Sequence, residues 1–285
     1  MIDSPDAARL AAIWDERVER EHAQTERLRD PVESTDPWAG LERTFAPPGR
    51  DNADLDPAVP VLARFLRPAD TVLDVGAGGG RLAIPLAAHC REVIAVEPSE
   101  SMRGQLERSA ADLGVRNVRV VPGVWEEVRI EAADLVICSH VLYSVRPIAP
   151  FLSRMIRKAR RRVAVALREH PPQVNFYPLW PRVFGEERVW LPAMPEFRAL
   201  LSAAGIEYAA HRLEDRPHGV FTDFGAALRR SMLRLFLVPG SENADKLEAL
   251  LPDCLERIGD GPQVRFKWAR PQEGWLVTWD TGCGA

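Results

Sequence analysis

Length, composition and charge restrict the chain to a few classes of protein. Its 285 residues, 46% hydrophobic and 27% charged, suffice for one large α/β domain with a cap or for two small domains. The net charge of −4 provides no basic field for nucleic acid, no apolar run approaches the ~20 residues of a membrane span, and the four cysteines form no C-x-x-C pair. We therefore expect a cytoplasmic protein without a signal peptide, a membrane span, a metal cluster or a disulfide framework.

The first 58 residues predict a helix followed by an irregular segment, which we assign to an N-terminal cap. Ser4 followed by Pro5 is typical of a helix start, and apolar residues then recur at helical spacing. From Glu19 to Arg29 charge dominates, so we expect that half of the helix to be solvated. Residues 30–60 contain six prolines, which favours an irregular segment draped over the core.

A strand, a glycine-rich turn and a helix are predicted between residues 71 and 89. The run Thr71–Val75 is largely apolar, and four of the next five residues are glycine. Glycine lets the backbone approach a ligand closely, and the N-terminus of the helix presents free N–H groups to it. This order of elements predicts the opening of a nucleotide-binding βαβ unit.

Strands and helices continue to alternate as far as residue 167. Further strands are predicted at 92–97, 118–121, 134–139 and 162–167, and helices at 100–113 and 148–160. This alternation predicts a doubly wound α/β sheet with helices on both faces. Beyond it we expect a helix at 196–204, a strand at 206–213, amphipathic helices at 222–238 and 243–258, and a closing hairpin formed by residues 264–268 and 275–279.

The glycine turn resembles that of one protein family. Arg81 occupies the place of the third glycine of a dinucleotide fingerprint, and the turn is led by Leu73-Asp74-Val75. This sequence pattern resembles motif I of the class I S-adenosylmethionine (SAM)-dependent methyltransferases. The resemblance implies SAM as the cofactor and a seven-stranded, mostly parallel sheet whose last strand runs antiparallel between the fifth and the sixth. It is close over residues 60–168 and covers the remainder in outline, without indicating a branch of the family. We therefore expect a SAM-binding domain at 59–285, with cap insertions at about 170–195 and 215–262.

The resemblance also assigns residues to the cofactor site. Glu97 lies 21 residues after Gly76 at the end of the second strand, where an acid can bind both ribose hydroxyls. Asp74 is expected to orient the methionine amino group, to bond to N–H groups of the turn, or both. The family often has Gly-Asp where this chain has Gly123-Val124, so adenine recognition passes to the backbone, to a nearby acid or to an aromatic stack. The residues expected to contact SAM are Asp74, Gly76, Ala77, Gly78, Glu97, Pro98, Ser99, Met102, Val124, Trp125, Glu126 and Ser139.

Two residues after the fourth strand are the catalytic candidates, because family members line the donor and acceptor sites at this edge. His140 is a candidate general base, since an unperturbed histidine pKa of about 6.5 suits proton removal near neutrality. The alternative is a supporting histidine bonded to backbone. Tyr143 is expected either to bind the acceptor or to fill space. No catalytic metal is expected.

These assignments predict an enzyme that transfers the SAM methyl group to an O, N or C nucleophile of a small, partly apolar acceptor. The alternatives are a non-catalytic SAM-binding or scaffold protein, an NAD(P)-dependent oxidoreductase, which Arg81 disfavours, and an RNA methyltransferase. Six of the nine residues from Arg154 to Arg162 are basic. In the family, the helix before the fifth strand is normally remote from the catalytic edge. We therefore expect these residues to form a solvated face with partners at the helix C-terminus, and we expect no nucleic-acid partner. The sequence indicates neither the acceptor nor the oligomeric state.

Overall fold

The computed structural model of the chain describes residue 2 and residues 4–31, 46–47, 55–214 and 219–282. The helices of this part are α1 (Pro5–Leu28), α2 (Ala58–Ala63), α3 (Ala83–Leu86), α4 (Glu100–Leu113), α5 (Ile148–Lys158), α6 (Trp180–Phe184), α7 (Met194–Ala203), α8 (Phe224–Leu235) and α9 (Glu242–Cys254). The strands are β1 (Thr71–Val75), β2 (Glu92–Glu97), β3 (Val118–Pro122), β4 (Ala133–Ser139), β5 (Ala159–Arg168), β6 (Ala209–Leu213), β7 (Val220–Phe221), β8 (Leu255–Arg257), β9 (Val264–Phe266) and β10 (Gly274–Asp280).

Seven strands form the main sheet in the order β3-β2-β1-β4-β5-β10-β6. The first five are mutually parallel, whereas β10 runs antiparallel to both β5 and β6. The predicted α/β sheet, with its last strand antiparallel between the fifth and the sixth, is therefore confirmed. The strand order reverses between β1 and β4, and in open α/β sheets the crevice at the carboxyl ends beside such a reversal is where ligands bind.

Both faces of the main sheet are covered, as its apolar strands require. All five residues of β1 are buried, and they alternate between two cores. Leu73 and Val75 pack with residues of α1, α5 and α7, while Val72 packs with residues of α2, α3 and α4 on the other face. The carboxyl end of β1 is thus held rigidly from both sides.

Two expectations about strand boundaries were wrong. The predicted hairpin does not form, because β9 pairs with β7 and β8 in a separate three-stranded sheet while β10 enters the main sheet. The burial of β10 explains this, since its residues 274–279 are covered on both faces between β5 and β6. The helix predicted at 148–160 ends at Lys158, so the last three residues of the basic run lie in β5 instead of on the helix.

The described parts of the predicted cap insertions pack together. Residues 174–179 form a 3-10 turn, and this turn, α6, α8, α9 and the small sheet share one apolar core. Phe176 and Phe266 meet in this core as a T-shaped pair with ring centroids 5.3 Å apart. The proposed boundaries at 1–58 and 59–285 remain predictions, and the aromatic residues Trp38 and Phe45 of the N-terminal segment lie outside the described residues.

The second half of α1 is not fully solvated, contrary to the expectation from its charge. Glu21 and Gln24 are buried against Arg188, which is itself 5% exposed. The Arg188 guanidinium donates to the Glu21 carboxylate, to Gln24 at 3.1 Å and to Thr25 at 2.8 Å. It also stacks on the Trp180 ring at 3.8 Å, and burial lowers its pKa to about 9. This ion pair therefore joins α1 to the segment before α7.

We expect Arg188→Ala to lower the free energy of unfolding by about 3–5 kcal/mol, because it leaves the Glu21 carboxylate buried without its partner. The matched control is Arg27→Ala. Arg27 pairs with Glu186 across the same two segments, but its side chain is 59% exposed, and such pairs contribute about 0–1 kcal/mol. Urea denaturation of both variants measures the difference. Equal decreases in the free energy of unfolding would show that the buried ion pair contributes no more to stability than the exposed one.

Candidate functional site

The glycine turn after β1 is shaped by backbone conformations that favour glycine. Gly76, Gly78 and Gly80 have φ angles of +72°, +55° and +90°. The N–H groups of Gly76 and Ala77 both donate to the Val96 carbonyl of β2, at 2.9 and 3.1 Å. A Cβ atom on Gly76 would lie 2.5 Å from a methyl carbon of Val141, just beyond β4. The turn is therefore packed tightly between the ends of β2 and β4.

Glu97 joins the glycine turn to the start of α4. Its carboxylate is buried and accepts from the Gly78 N–H at 2.8 Å and from the Ser99 N–H at 2.9 Å. Ser99 in turn caps α4 by accepting from the Met102 N–H at 3.2 Å. Each carboxylate oxygen can accept more than one hydrogen bond, so these contacts leave Glu97 the capacity to bind hydroxyl groups.

Asp74 is the penultimate residue of β1 and is 2% exposed. Burial, and then the neighbouring charge of Glu97, raise the pKa of Asp74 to about 7, against a smaller opposing effect of Arg81. Asp74 was expected to accept hydrogen bonds from N–H groups of the turn. One of these, the Gly78 N–H, donates to Glu97 instead. Asp74 is therefore about half-protonated near neutral pH, which makes its charge responsive to a nearby cation.

The raised pKa of Asp74 predicts a stability loss as the pH rises. Between about pH 4 and pH 7 the unfolded chain has lost this proton while the native chain keeps it, so the native state is penalised by up to about 1.4 kcal/mol per pH unit. We expect Asp74→Asn, which cannot ionise, to gain stability relative to the parent over this interval and to show a constant difference above it. Denaturation at a series of pH values measures this, and a difference that does not change with pH would contradict it.

Arg81 joins three elements at the mouth of the site. It forms an ion pair with Asp56, which is 4% exposed and also accepts from the Ala58 N–H at 2.9 Å at the start of α2. Its other terminal nitrogen lies 3.4 Å from the Ser139 hydroxyl at the end of β4. Sequence analysis did not single out Asp56. An acid followed by Pro57 is a helix-start pattern that could have indicated it.

His140 and Tyr143 are brought together beyond the end of β4. His140 has a φ angle of +59°, and its N–H donates to the Ala166 carbonyl of β5 at 2.8 Å. Its Nδ1 atom lies 3.2 Å from the Tyr143 hydroxyl, which accepts from the Arg168 backbone N–H at 2.6 Å. Burial strongly raises the pKa of Tyr143, so this hydroxyl stays protonated at physiological pH.

The structure contradicts an adenine stack on the Trp125 ring. This ring is 3% exposed and packs near Phe151, and the Arg154 guanidinium lies over it at 4.7 Å from its centroid. Its indole N–H donates to the Phe151 carbonyl at 3.4 Å. The ring is thus part of the core beneath α5 and offers no open face to a ligand.

The remaining residues assigned to the cofactor lie around the same edge. Val124 and Glu126, on either side of Trp125, are exposed, as is Pro98 at the end of β2. Met102 is buried on α4. Their contacts with SAM stay predictions.

Most cations of the basic run before and within β5 bond to other groups of the protein. Arg154 donates to the carbonyl of Glu126 at 2.6 Å, and Lys158 donates to a carbonyl of the same loop. Arg160, Arg161 and Arg162 form ion pairs with Asp134, Asp70 and Asp280. Five of these six cations therefore have partners within the protein, and these partners are loop carbonyls and acids of neighbouring strands and loops.

Neither a membrane span nor a metal cluster emerges in the described ranges. No helix there combines the length and apolar character needed to cross a bilayer. The same ranges hold no group of three or more His, Cys, Asp or Glu side chains suited to a metal ion.

A family model matches the glycine turn and the strands and helices that follow it. Residues 72–166 match the family model described as a methyltransferase domain. The YcgJ protein of Bacillus subtilis is 18% identical, covers 78% of this chain and 97% of its own, and superposes with a TM-score of 0.51. A candidate methyltransferase of Bacillus halodurans C-125 is also 18% identical, covers 80% and 99%, and gives a TM-score of 0.56. These two structures share the fold.

A shorter stretch is similar to a curated protein. Ribosomal RNA small subunit methyltransferase G of Neisseria gonorrhoeae is 40% identical over 78 residues, which make up 26% of this chain. The chain spans only 37% of the length of that relative.

Proposed function

We propose that the protein is a class I SAM-dependent methyltransferase, because residues 72–166 match the model of a methyltransferase domain and the strands of the chain form a seven-stranded sheet with the last strand antiparallel. The observation that carries the proposal is the buried Glu97 carboxylate, fixed against the glycine turn at the carboxyl end of β2. An acid in this place can bind both ribose hydroxyls of a nucleoside. The donor is S-adenosylmethionine, with its sugar on Glu97.

The aminoacyl end of the donor fits the charges on the other side of the turn. Asp74 is a buried carboxyl whose pKa of about 7 would fall on contact with an ammonium group, because an opposite charge favours the ionised form. The methionine ammonium is assigned to Asp74, and the sulfonium lies beside the turn of Gly76, Ala77 and Gly78. Adenine is held by Met102, by the backbone at Val124 and by Glu126.

The reaction is an in-line displacement that transfers the sulfonium methyl group to a small acceptor near His140 and Tyr143. Alignment of nucleophile, methyl carbon and leaving sulfur supplies roughly 7–11 kcal/mol of the barrier in reactions of this kind. The aromatic residues of the cap, such as Tyr177 and Trp190, which pack edge to face at 5.3 Å, suit an acceptor that is partly apolar.

An RNA acceptor is the second candidate, because a 78-residue stretch is 40% identical to a ribosomal RNA methyltransferase. The internal pairing of the basic run and the net charge of −4 weigh against it. Ribosomal RNA binding measured at increasing salt separates the two candidates. Affinity that falls steeply as phosphate contacts are screened would favour RNA, and absence of binding at low salt would favour the small acceptor.

Titration calorimetry with SAM, S-adenosylhomocysteine (SAH) and NADH tests the donor. We expect SAM and SAH to bind and NADH not to bind, because Arg81 replaces the third glycine that a dinucleotide requires. Binding of NADH alone would replace this proposal with an oxidoreductase. Binding of SAH without methyl transfer to any acceptor in a cell extract would favour a scaffold protein.

A further inference from the structure

The hydrogen bonds around Tyr143 determine where the proton of His140 lies. Among the described residues the Tyr143 hydroxyl has two partners, the Arg168 backbone N–H at 2.6 Å and His140 Nδ1 at 3.2 Å. A backbone N–H can only donate, so the hydroxyl accepts from Arg168. The hydroxyl's own hydrogen then has one partner to bond with, the lone pair of Nδ1.

We infer that Tyr143 is a positioning residue that holds neutral His140 with its proton on Nε2, so that His140 serves the acceptor as a hydrogen-bond donor and not as a general base. A buried hydroxyl without a partner for its hydrogen costs about 1–3 kcal/mol, and this penalty disfavours the opposite tautomer. Tyr143 is 4% exposed, so water does not relieve it. The φ angle of +59° at His140, together with the bond from its N–H to Ala166, fixes the backbone from which the ring projects.

If His140 donates a hydrogen bond and does not act as a base, its role restricts the chemical class of the methyl acceptor. This extension rests on the proposed function. A nucleophile that keeps its proton until transfer needs a base, whereas one that arrives ionised needs only to be held. A carboxylic acid, with an ordinary pKa of about 4, is ionised at physiological pH and needs no base. The acceptor group is therefore a carboxylate, and the product is a methyl ester.

This transfer balances without a proton. The carboxylate oxygen attacks the sulfonium methyl carbon as the carbon–sulfur bond breaks, and the bonding pair passes to sulfur. The products are a neutral ester and SAH. His140 Nε2–H holds the carboxylate in line, and no group of the protein changes its protonation state.

Nitrogen NMR of the neutral imidazole tests the tautomer without any acceptor. Long-range proton–nitrogen correlations of ¹⁵N-histidine-labelled protein at about pH 8, where an ordinary histidine is neutral, distinguish Nε2–H from Nδ1–H, and His140→Gln identifies the His140 signals among those of the six histidines. We expect Nε2–H in the parent protein and a mixture of both forms in Tyr143→Phe. Tyr177→Phe is the matched control, since Tyr177 is also buried, and it should retain the parent tautomer. An Nδ1–H form in the parent, or an unchanged tautomer in Tyr143→Phe, would overturn the inference.

The lability of the transferred methyl group tests the acceptor class. The parent protein is incubated with methyl-tritiated SAM and the small-molecule fraction of a cell extract, and the products are treated with alkali. Methyl esters release volatile methanol, whereas methyl groups on phenol, amine or carbon are retained. Retained label would overturn the carboxylate while leaving the methyltransferase intact, and failure of SAH to bind would overturn the proposed function while leaving the tautomer intact.

Discussion

Gly76→Ala is expected to abolish useful SAH binding and to destabilise the fold. The new methyl group would lie 2.5 Å from Val141, and the residue would keep a φ angle of +72°. Overpacking costs about 1–3 kcal/mol and a left-handed alanine about 1–2 kcal/mol, so we expect a loss of roughly 2–5 kcal/mol in denaturation. Because the turn must shift to relieve the contact, its N–H groups are misplaced, and we expect SAH affinity to fall by ~100-fold or more.

Two further variants separate the causes of this effect. Gly185 has a φ angle of +78°, and a Cβ atom added there would meet nothing within 4 Å, so Gly185→Ala carries the backbone penalty alone and should leave SAH binding unchanged. Adding Val141→Ala to Gly76→Ala removes the contact and should restore part of the affinity. Parent-like SAH binding by Gly76→Ala would show that the turn does not hold the nucleoside.

The order of the main sheet could be predicted because each of its elements carries a local pattern. The apolar strands at 71–75 and 92–97 are short enough to exclude a helix and lie on either side of a glycine turn. Strands that are buried on both faces are continuously apolar, and this pattern does not depend on which helices cover them. Glu97 followed from the same logic, because the residue that ends β2 lies at the ligand edge of a parallel sheet.

Contacts between distant segments could not be predicted in this way. Glu21 reads as one of many charges on a helix until Arg188, 167 residues later, is placed against it. Asp56 and Arg81 likewise form a pair only after folding. Charge patterns identify solvated faces statistically, but a buried ion pair is defined by a partner that the local sequence does not contain.

The wrong assignments share a related cause. Trp125 follows β3 where an aromatic ring could face either the ligand or the core, and its burial near Phe151 depends on the position of α5. The strands at 264–266 and 274–280 are close enough in sequence for a hairpin, yet β10 gains more by entering the gap between β5 and β6, where both of its faces are buried. In both cases the outcome depends on burial against distant segments of the fold, which the local sequence does not show.

Replacing Glu97 with Gln is expected to remove the protein's recognition of the ribose. A hydrogen bond to a charged group contributes about 1.5–3 kcal/mol, so the parent should bind 5′-methylthioadenosine about 10–100-fold more tightly than its 2′-deoxy analogue. In Glu97→Gln the two ligands should bind with affinities within about threefold of each other, because the coupled pair of ligand hydroxyl and carboxylate has been lost. Titration calorimetry of both ligands against both proteins completes the cycle.

The cycle is needed because Glu97 also stabilises the site itself. Its carboxylate accepts from Gly78 and Ser99, so Glu97→Gln turns an amide N–H toward one of these donors and weakens every ligand that needs the turn. Such a general loss affects both nucleosides equally and cancels in the comparison. Glu92→Gln, at the partly exposed start of the same strand in its ion pair with Arg119, should leave the ribose preference intact. A Glu97→Gln protein that still prefers the ribose form as strongly as the parent would place the sugar elsewhere, and the assignment of the nucleoside pocket to the ends of β1 and β2 would fail with it.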